Sequence, residues 1–116
     1  MLAPPIKVDP EAEPYLKGRL KKIQSVVLDF ILEEARKHSL PVKGVQISLV
    51  LDPEEDWWEI ALDVTVNAPQ EDAMAFWEAV EKRIEAWAQT QPETVQKTLA
   101  SHIAVSVEWP VRENSV

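Results

Sequence analysis

The sequence predicts a small two-layer α+β domain, a three-stranded, mainly antiparallel sheet with amphipathic helices packed on one of its faces. Three observations carry this. Residues 42–66 alternate apolar and polar in two arms around an acidic turn that contains a proline. The flanking segments repeat apolar residues at helical spacing. A third alternating run lies near the end of the chain, at residues 103–109.

In the first arm of the hairpin, Val45, Ile47, Leu49 and Leu51 alternate with Gln46, Ser48 and Val50. In the second, Trp58, Ile60, Leu62, Val64 and Val66 alternate with Trp57, Glu59, Ala61, Asp63 and Thr65. A period of two places each set on one face of a pleated strand. Between the arms, Asp52-Pro53-Glu54-Glu55-Asp56 has no β-branched residue and carries a proline that would interrupt a ladder. A hairpin loop of about five residues is expected there.

Residues 1–13 are rich in proline and acid and have no period, which reads as an extended or loose arm. A first helix is expected to begin near Pro14, or earlier at Asp9-Pro10, because proline is tolerated in a helix only at its start. Leu16, Leu20, Ile23, Val27, Phe30, Ile31 and Glu34 then follow one helical face. Arg36-Lys37-His38 suit the negative pole of the helix dipole, and Ser39-Leu40-Pro41 ends the element. After the hairpin, Asn67-Ala68-Pro69 with Glu71 and Asp72 reads as a capped start. The second helix runs to about Gln89, with a stripe of Ala73, Trp77, Val80, Ile84 and Trp87. Thr90 and Glu93 have capping-box spacing, predicting a short third helix over 92–99. Ile103, Val105, Val107 and Trp109 form the inward set of a third strand, which Pro110 stops, leaving 111–116 as a frayed tail. The folded domain is thus expected at 14–110. With a right-handed crossover the third strand runs parallel to the second, and it is placed beside the first, giving the spatial order 3-1-2.

At 116 residues the chain is the size of one domain, able to bury roughly two thirds of its unfolded surface. The absence of cysteine excludes disulfide and thiolate chemistry and fits a reducing, cytoplasmic setting. Met1-Leu2-Ala3-Pro4-Pro5 shows no leader pattern, and no apolar run approaches the roughly 18 residues of a membrane span. A net charge of −8 argues against nucleic acid or an anionic membrane as partner. The charge is uneven: residues 15–38 sum to +3, whereas residues 39–116 hold five basic and fourteen acidic side chains. The plainest reading of the basic helix is a solvated face. The sharper one is a polarised molecule that meets an acidic surface on a second copy or on another protein.

No constellation nominates a catalyst. His38 and His102 are the only histidines, and neither has a carboxylate placed by the sequence to tune it. The acidic turn lacks the alternate ligand spacing and the glycine of a calcium loop, so it reads as a solvated tip and no metal is expected. The absence of a glycine-rich turn excludes a phosphate loop, and no cofactor is expected. Of five tryptophans, Trp58, Trp77, Trp87 and Trp109 fall on inferred core faces. Trp57 points the other way, beside Glu59 and Asp63, and these three make a candidate interaction surface. The alternative is that the first helix or the N-terminal arm covers Trp57. The outward set of the three strands contains no lysine or arginine, unlike a bare sheet facing water. Together with two open edges this predicts self-association, most simply a two-fold homodimer.

The order α-β-β-α-α-β resembles that of a type II KH domain, a resemblance that implies RNA binding. Such domains place a GxxG loop between the paired helices, letting backbone approach phosphates. This chain has Thr90-Gln91-Pro92-Glu93 at that place, and its two glycines, Gly18 and Gly44, lie elsewhere. The function expected first is therefore a non-enzymatic, acidic interaction or regulatory protein, homodimeric, with a basic protein as partner. RNA binding is the second reading. The third is a small-ligand binder or enzyme with a site in a dimer cleft, where Trp57 and a carboxylate such as Asp63 could hold a small cation.

Overall fold

The computed structural model of the chain describes residues 4–110. Its elements, in order, are β1 (Ile6–Val8), a 3-10 turn (Glu13–Tyr15), α1 (Gly18–Lys37), β2 (Val42–Asp52), β3 (Trp57–Val66), α2 (Gln70–Ala88), α3 (Glu93–His102) and β4 (Ile103–Glu108). The α+β class and the helix-on-sheet layering agree with the sequence reading. The tail expected at 111–116 lies outside the described residues.

The hairpin forms where alternation predicts it, with β2 and β3 antiparallel from Val42↔Val66 to Asp52↔Trp57. Four residues turn the corner. The Asp52 carboxylate accepts the backbone N–H groups of Glu54 and Glu55 at 3.1 and 3.3 Å, and Asp56 takes φ +50°, a local arrangement that aspartate favours. Leu49 stands opposite Ile60, and Leu62 lies between Ile47 and Val105. All three strands therefore turn the expected apolar set toward the helices.

Strand count and order differ from expectation. The sheet is mixed and four-stranded, in the order β1-β2-β3-β4. The last strand runs parallel to β3, as the crossover argument requires, but lies beside β3 rather than β2. The outer edge of β2 is already occupied. β1, from the proline-rich arm, pairs with it in parallel, Ile6↔Val45 to Val8↔Ile47. The Val45 N–H donates to the Pro5 carbonyl at 3.0 Å, and the Asp9 N–H donates to the Ile47 carbonyl at 2.8 Å. Gly44 makes this approach easy, because a Cβ there would stand 3.3 Å from the Pro5 oxygen. Glycine inside a strand often marks such a close backbone approach.

Helix starts were also misplaced by local signals. Pro14 lies within the 3-10 turn that Glu13 opens and does not start α1. The helix begins at Gly18, whose φ of +53° redirects the chain at a conformation only glycine adopts freely. Asn67 does not cap α2; Pro69 occupies the cap position. The Thr90 hydroxyl donates to the Trp87 carbonyl at 2.7 Å, closing α2 instead of starting α3. α3 itself continues to His102 and passes directly into β4.

One core lies between the sheet and α1 and α2, with Val27, Ile31, Ile47, Ile60, Leu62, Val64, Val66, Phe76 and Val80 fully buried. Each such side chain contributes about 1.5–3 kcal/mol by leaving water. Trp58, Trp77, Trp87 and Trp109 pack half-buried around it, and the indole N–H of Trp77 finds no acceptor among the described residues. Glu34, on the apolar stripe of α1, is buried and ties α1 to α2. Its carboxylate meets Arg83 at 3.1 Å and Lys37 at 3.2 Å, while Arg83 also pairs with Glu33 and lies over the Phe30 ring. Burial alone would raise the Glu34 carboxyl. The hydrogen bonds and charges of Lys37 and Arg83 outweigh it and hold the group below the ordinary carboxylate value.

The helices do not reach the hairpin tip. Leu51 belongs to the inward set, yet it is 60% exposed, and Val50 on the other face is 40% exposed. The hairpin thus projects beyond the layer that covers its base, in a molecule whose longest axis is 47 Å.

Candidate interaction surface

Trp57, Glu59 and Asp63 share the helix-free face of the sheet, at alternate positions of β3. Trp57 opens the strand opposite Asp52, and Asp63 lies six residues further on, roughly 20 Å along the strand. Among the described residues neither α1 nor the N-terminal arm supplies a hydrogen-bond partner to the Trp57 side chain. It is 36% exposed, and its indole N–H donates to the Ser101 carbonyl of α3 at 2.9 Å. That carbonyl belongs to the last turn of a helix, where no intrahelical donor remains.

A second contact completes a latch between the starts of β3 and β4. His102 Nδ1 lies 2.8 Å from the Trp58 carbonyl, so this nitrogen carries the proton. The imidazole stacks on the Trp58 ring at 4.0 Å and 16°, and Tyr15 packs on Trp58 at 4.8 Å. His102 is therefore half-buried against the helix side, whereas the strand alternation, extended back to 102, would point it toward solvent. The alternation fails there because residue 102 is still helical. His38 is exposed at the end of α1, with its ring edge toward Phe76.

The centre of the open face is small. Ser48, Ala61 and Ala104 lie in one row across β2, β3 and β4, and Gln46, Asp63 and Ser106 in the next. The Ser106 hydroxyl donates to the Asp63 carboxylate, and the Gln46 amide donates to Asp9. These four polar side chains satisfy one another in pairs and lie low on the sheet. Glu59 is half-buried opposite Val50.

The face carries lysine after all. β1 brings Lys7 beside Gln46, and β2 extends back far enough to include Lys43; both are exposed. They line a shallow depression with Pro5, Gly44 and Thr65, and Glu108 stands one strand further on. Lys7 escaped the sequence reading because the arm was not counted as a strand, and Lys43 because a register shift between Val42 and Gly44 interrupts the alternation there. The signals were present: the triplet Ile6-Lys7-Val8 alternates, and Gly44 permits a neighbour. Acidic side chains collect at the opposite, hairpin end, at Glu54, Glu55, Asp56 and Glu59.

Among the described residues no three His, Asp or Glu side chains come together so as to hold a metal ion, and no helix is long and apolar enough to cross a membrane. The fold and surface define a two-layer α+β domain with a mixed sheet, one face covered by helices and the other open, small in its middle and oppositely charged at its ends. Comparison with protein-family models, with curated proteins and with solved structures finds no match to the chain.

Proposed function

We propose that the chain is a non-enzymatic interaction module that forms a homodimer through its open sheet face and engages a basic macromolecule. The observation that supports this most is the pairing of a flat centre with ends of opposite charge. Ser48, Ala61, Ala104 and Ser106 let another sheet approach to the usual spacing of about 10 Å. Four strands about 4.8 Å apart and roughly eight residues long offer about 500 Å² per copy. Two copies then reach the roughly 1,000 Å² needed by a specific interface.

Charge selects the symmetry axis. A two-fold axis running along the strands would stack one acidic tip on the other. An axis running across them sets each tip over the partner's Lys7 and Lys43, which is the complementary choice. The dimer so formed carries twice the net charge of −8 and attracts basic partners over a distance.

Light scattering of the full chain at micromolar concentration tests the reading, with a dimer mass expected. Ala61→Arg, which places a long cation in the middle of the face, is expected to give a folded monomer. A monomer mass for the unaltered chain throughout that range removes the proposal.

A further inference from the structure

The edge of the sheet opposite β1 carries no further strand among the described residues, and a groove of about 470 Å³ runs beside it. One wall is a row of α2, where Glu81, Ile84, Glu85 and Ala88 follow the spacing of a single helical face. The facing wall is a row of α3 with the same spacing, Gln96, Leu99 and Ala100 leading into Ile103. The floor is made by Ile103, Ala104 and Val105, three consecutive residues of β4. Consecutive residues of a strand point to opposite faces, so what they share with the groove is the backbone edge itself. Its N–H and C=O groups have no strand partner among the described residues.

An unpaired edge flanked by a largely apolar groove suits one kind of guest, an extended segment that adds a strand and sets every second side chain into the groove. The charges specify it further. Glu81 and Glu85 are the only ionisable groups of the lining. Neither has an ion-pair partner among the described residues. A second copy of β4 would bring four of these carboxylates together, in chains that each carry −8. We propose that this groove binds an extended peptide segment of a basic partner protein as a fifth strand on β4, with apolar and cationic residues both in the alternate set that faces the groove and its glutamates. The inference deepens the functional reading above and rests on it for the charge of the partner, but it uses a surface separate from the open face.

A fluorescein-labelled peptide of about ten residues, with lysine and valine taking turns at every second position and threonine between them, is the probe, and the same peptide with glutamate for lysine is the control. Fluorescence polarisation with the full chain should show saturable binding of the first and none of the second. Glu81→Lys with Glu85→Lys, and separately Ala100→Trp, alter exposed positions and should each weaken binding about tenfold or more. N-methylating alternate backbone nitrogens of the peptide should abolish binding for one alternating set and spare the other, because only one edge of the guest can pair. Binding that ignores Ala100→Trp, or that tolerates both methylation patterns, overturns the proposal while leaving a basic partner possible elsewhere. No binding of any lysine-rich probe overturns it together with the basic-partner reading. A dimer mass that Ala100→Trp returns to monomer overturns it too, since the groove would then hold a second copy. Retention of peptide by the Ala61→Arg monomer supports it independently of the open face.

Discussion

The two faces of the sheet are built by the same strands from alternate residues, yet they obey different rules. On the covered face Ile60, Leu62, Val64 and Val66 are fully buried against α1 and α2, and shape and volume decide their identity. On the open face the neighbouring residues Ala61, Asp63 and Thr65 are small or polar and touch mainly their cross-strand partners, Ser48, Gln46 and Glu108 among them. A substitution on the first face registers as lost stability. On the second it should register as lost association.

Adjacent residues of β3 give the largest contrast. Leu62→Ala leaves a cavity in a packed core and should destabilise by about 3–5 kcal/mol, read from urea unfolding. Ala61→Arg, one residue away and facing outward, should cost less than about 1 kcal/mol while abolishing the dimer. Equal losses of stability would erase the distinction between the faces.

Next in size is the clamp between α1 and α2. Arg83→Met leaves Glu34 buried with Lys37 as its only cation. Because the pair is partly exposed, the expected cost at neutral pH is about 1–2 kcal/mol, less than for a fully buried pair. Glu34 has a lowered folded pKa, so its contribution is complete above the ordinary carboxylate range and disappears as pH falls through the folded value. The gap between wild type and Arg83→Met should therefore narrow in acid. Unfolding curves at neutral pH and near pH 3 check the sign, and a gap that widens in acid would contradict it.

Trp57→Phe keeps one aromatic ring at this partly exposed position and removes the pyrrole half that carries the donor to Ser101, at an expected cost of about 1 kcal/mol. Amide exchange should quicken in the last turn of α3. The smallest effect on the fold belongs to Lys7→Glu with Lys43→Glu, surface changes worth about 0.5 kcal/mol or less in stability. They should nonetheless weaken the dimer, more at low salt than at high, because they set like charges across the proposed two-fold axis.

Alternation was enough to place Trp57, Glu59 and Asp63 on one face and Leu49, Leu62 and Val105 on the other. It could not show that Trp57 latches to Ser101, a contact between residues 44 positions apart. Alternation gives the wrong side for His102 because helical residues run directly into β4, so a period of two does not extend back to residue 102. β1 was missed because three residues are too few to establish a period. Its partner signal, Gly44, lies 38 positions away from Ile6 in sequence. Of the two helical rows that wall the groove beside β4, only Ile84 belongs to the α2 stripe read from the sequence, and whether such a stripe is sealed or left open depends on what packs over it.

Residue type and spacing by themselves determined which segments are helix or strand and which side of each is apolar, because those properties depend on neighbours within a few positions. Strand order, the docking of the N-terminal arm and the open edge with its groove were decided only by tertiary structure. They depend on which of several compatible edges is filled first, and a local pattern is the same whichever neighbour it finally meets.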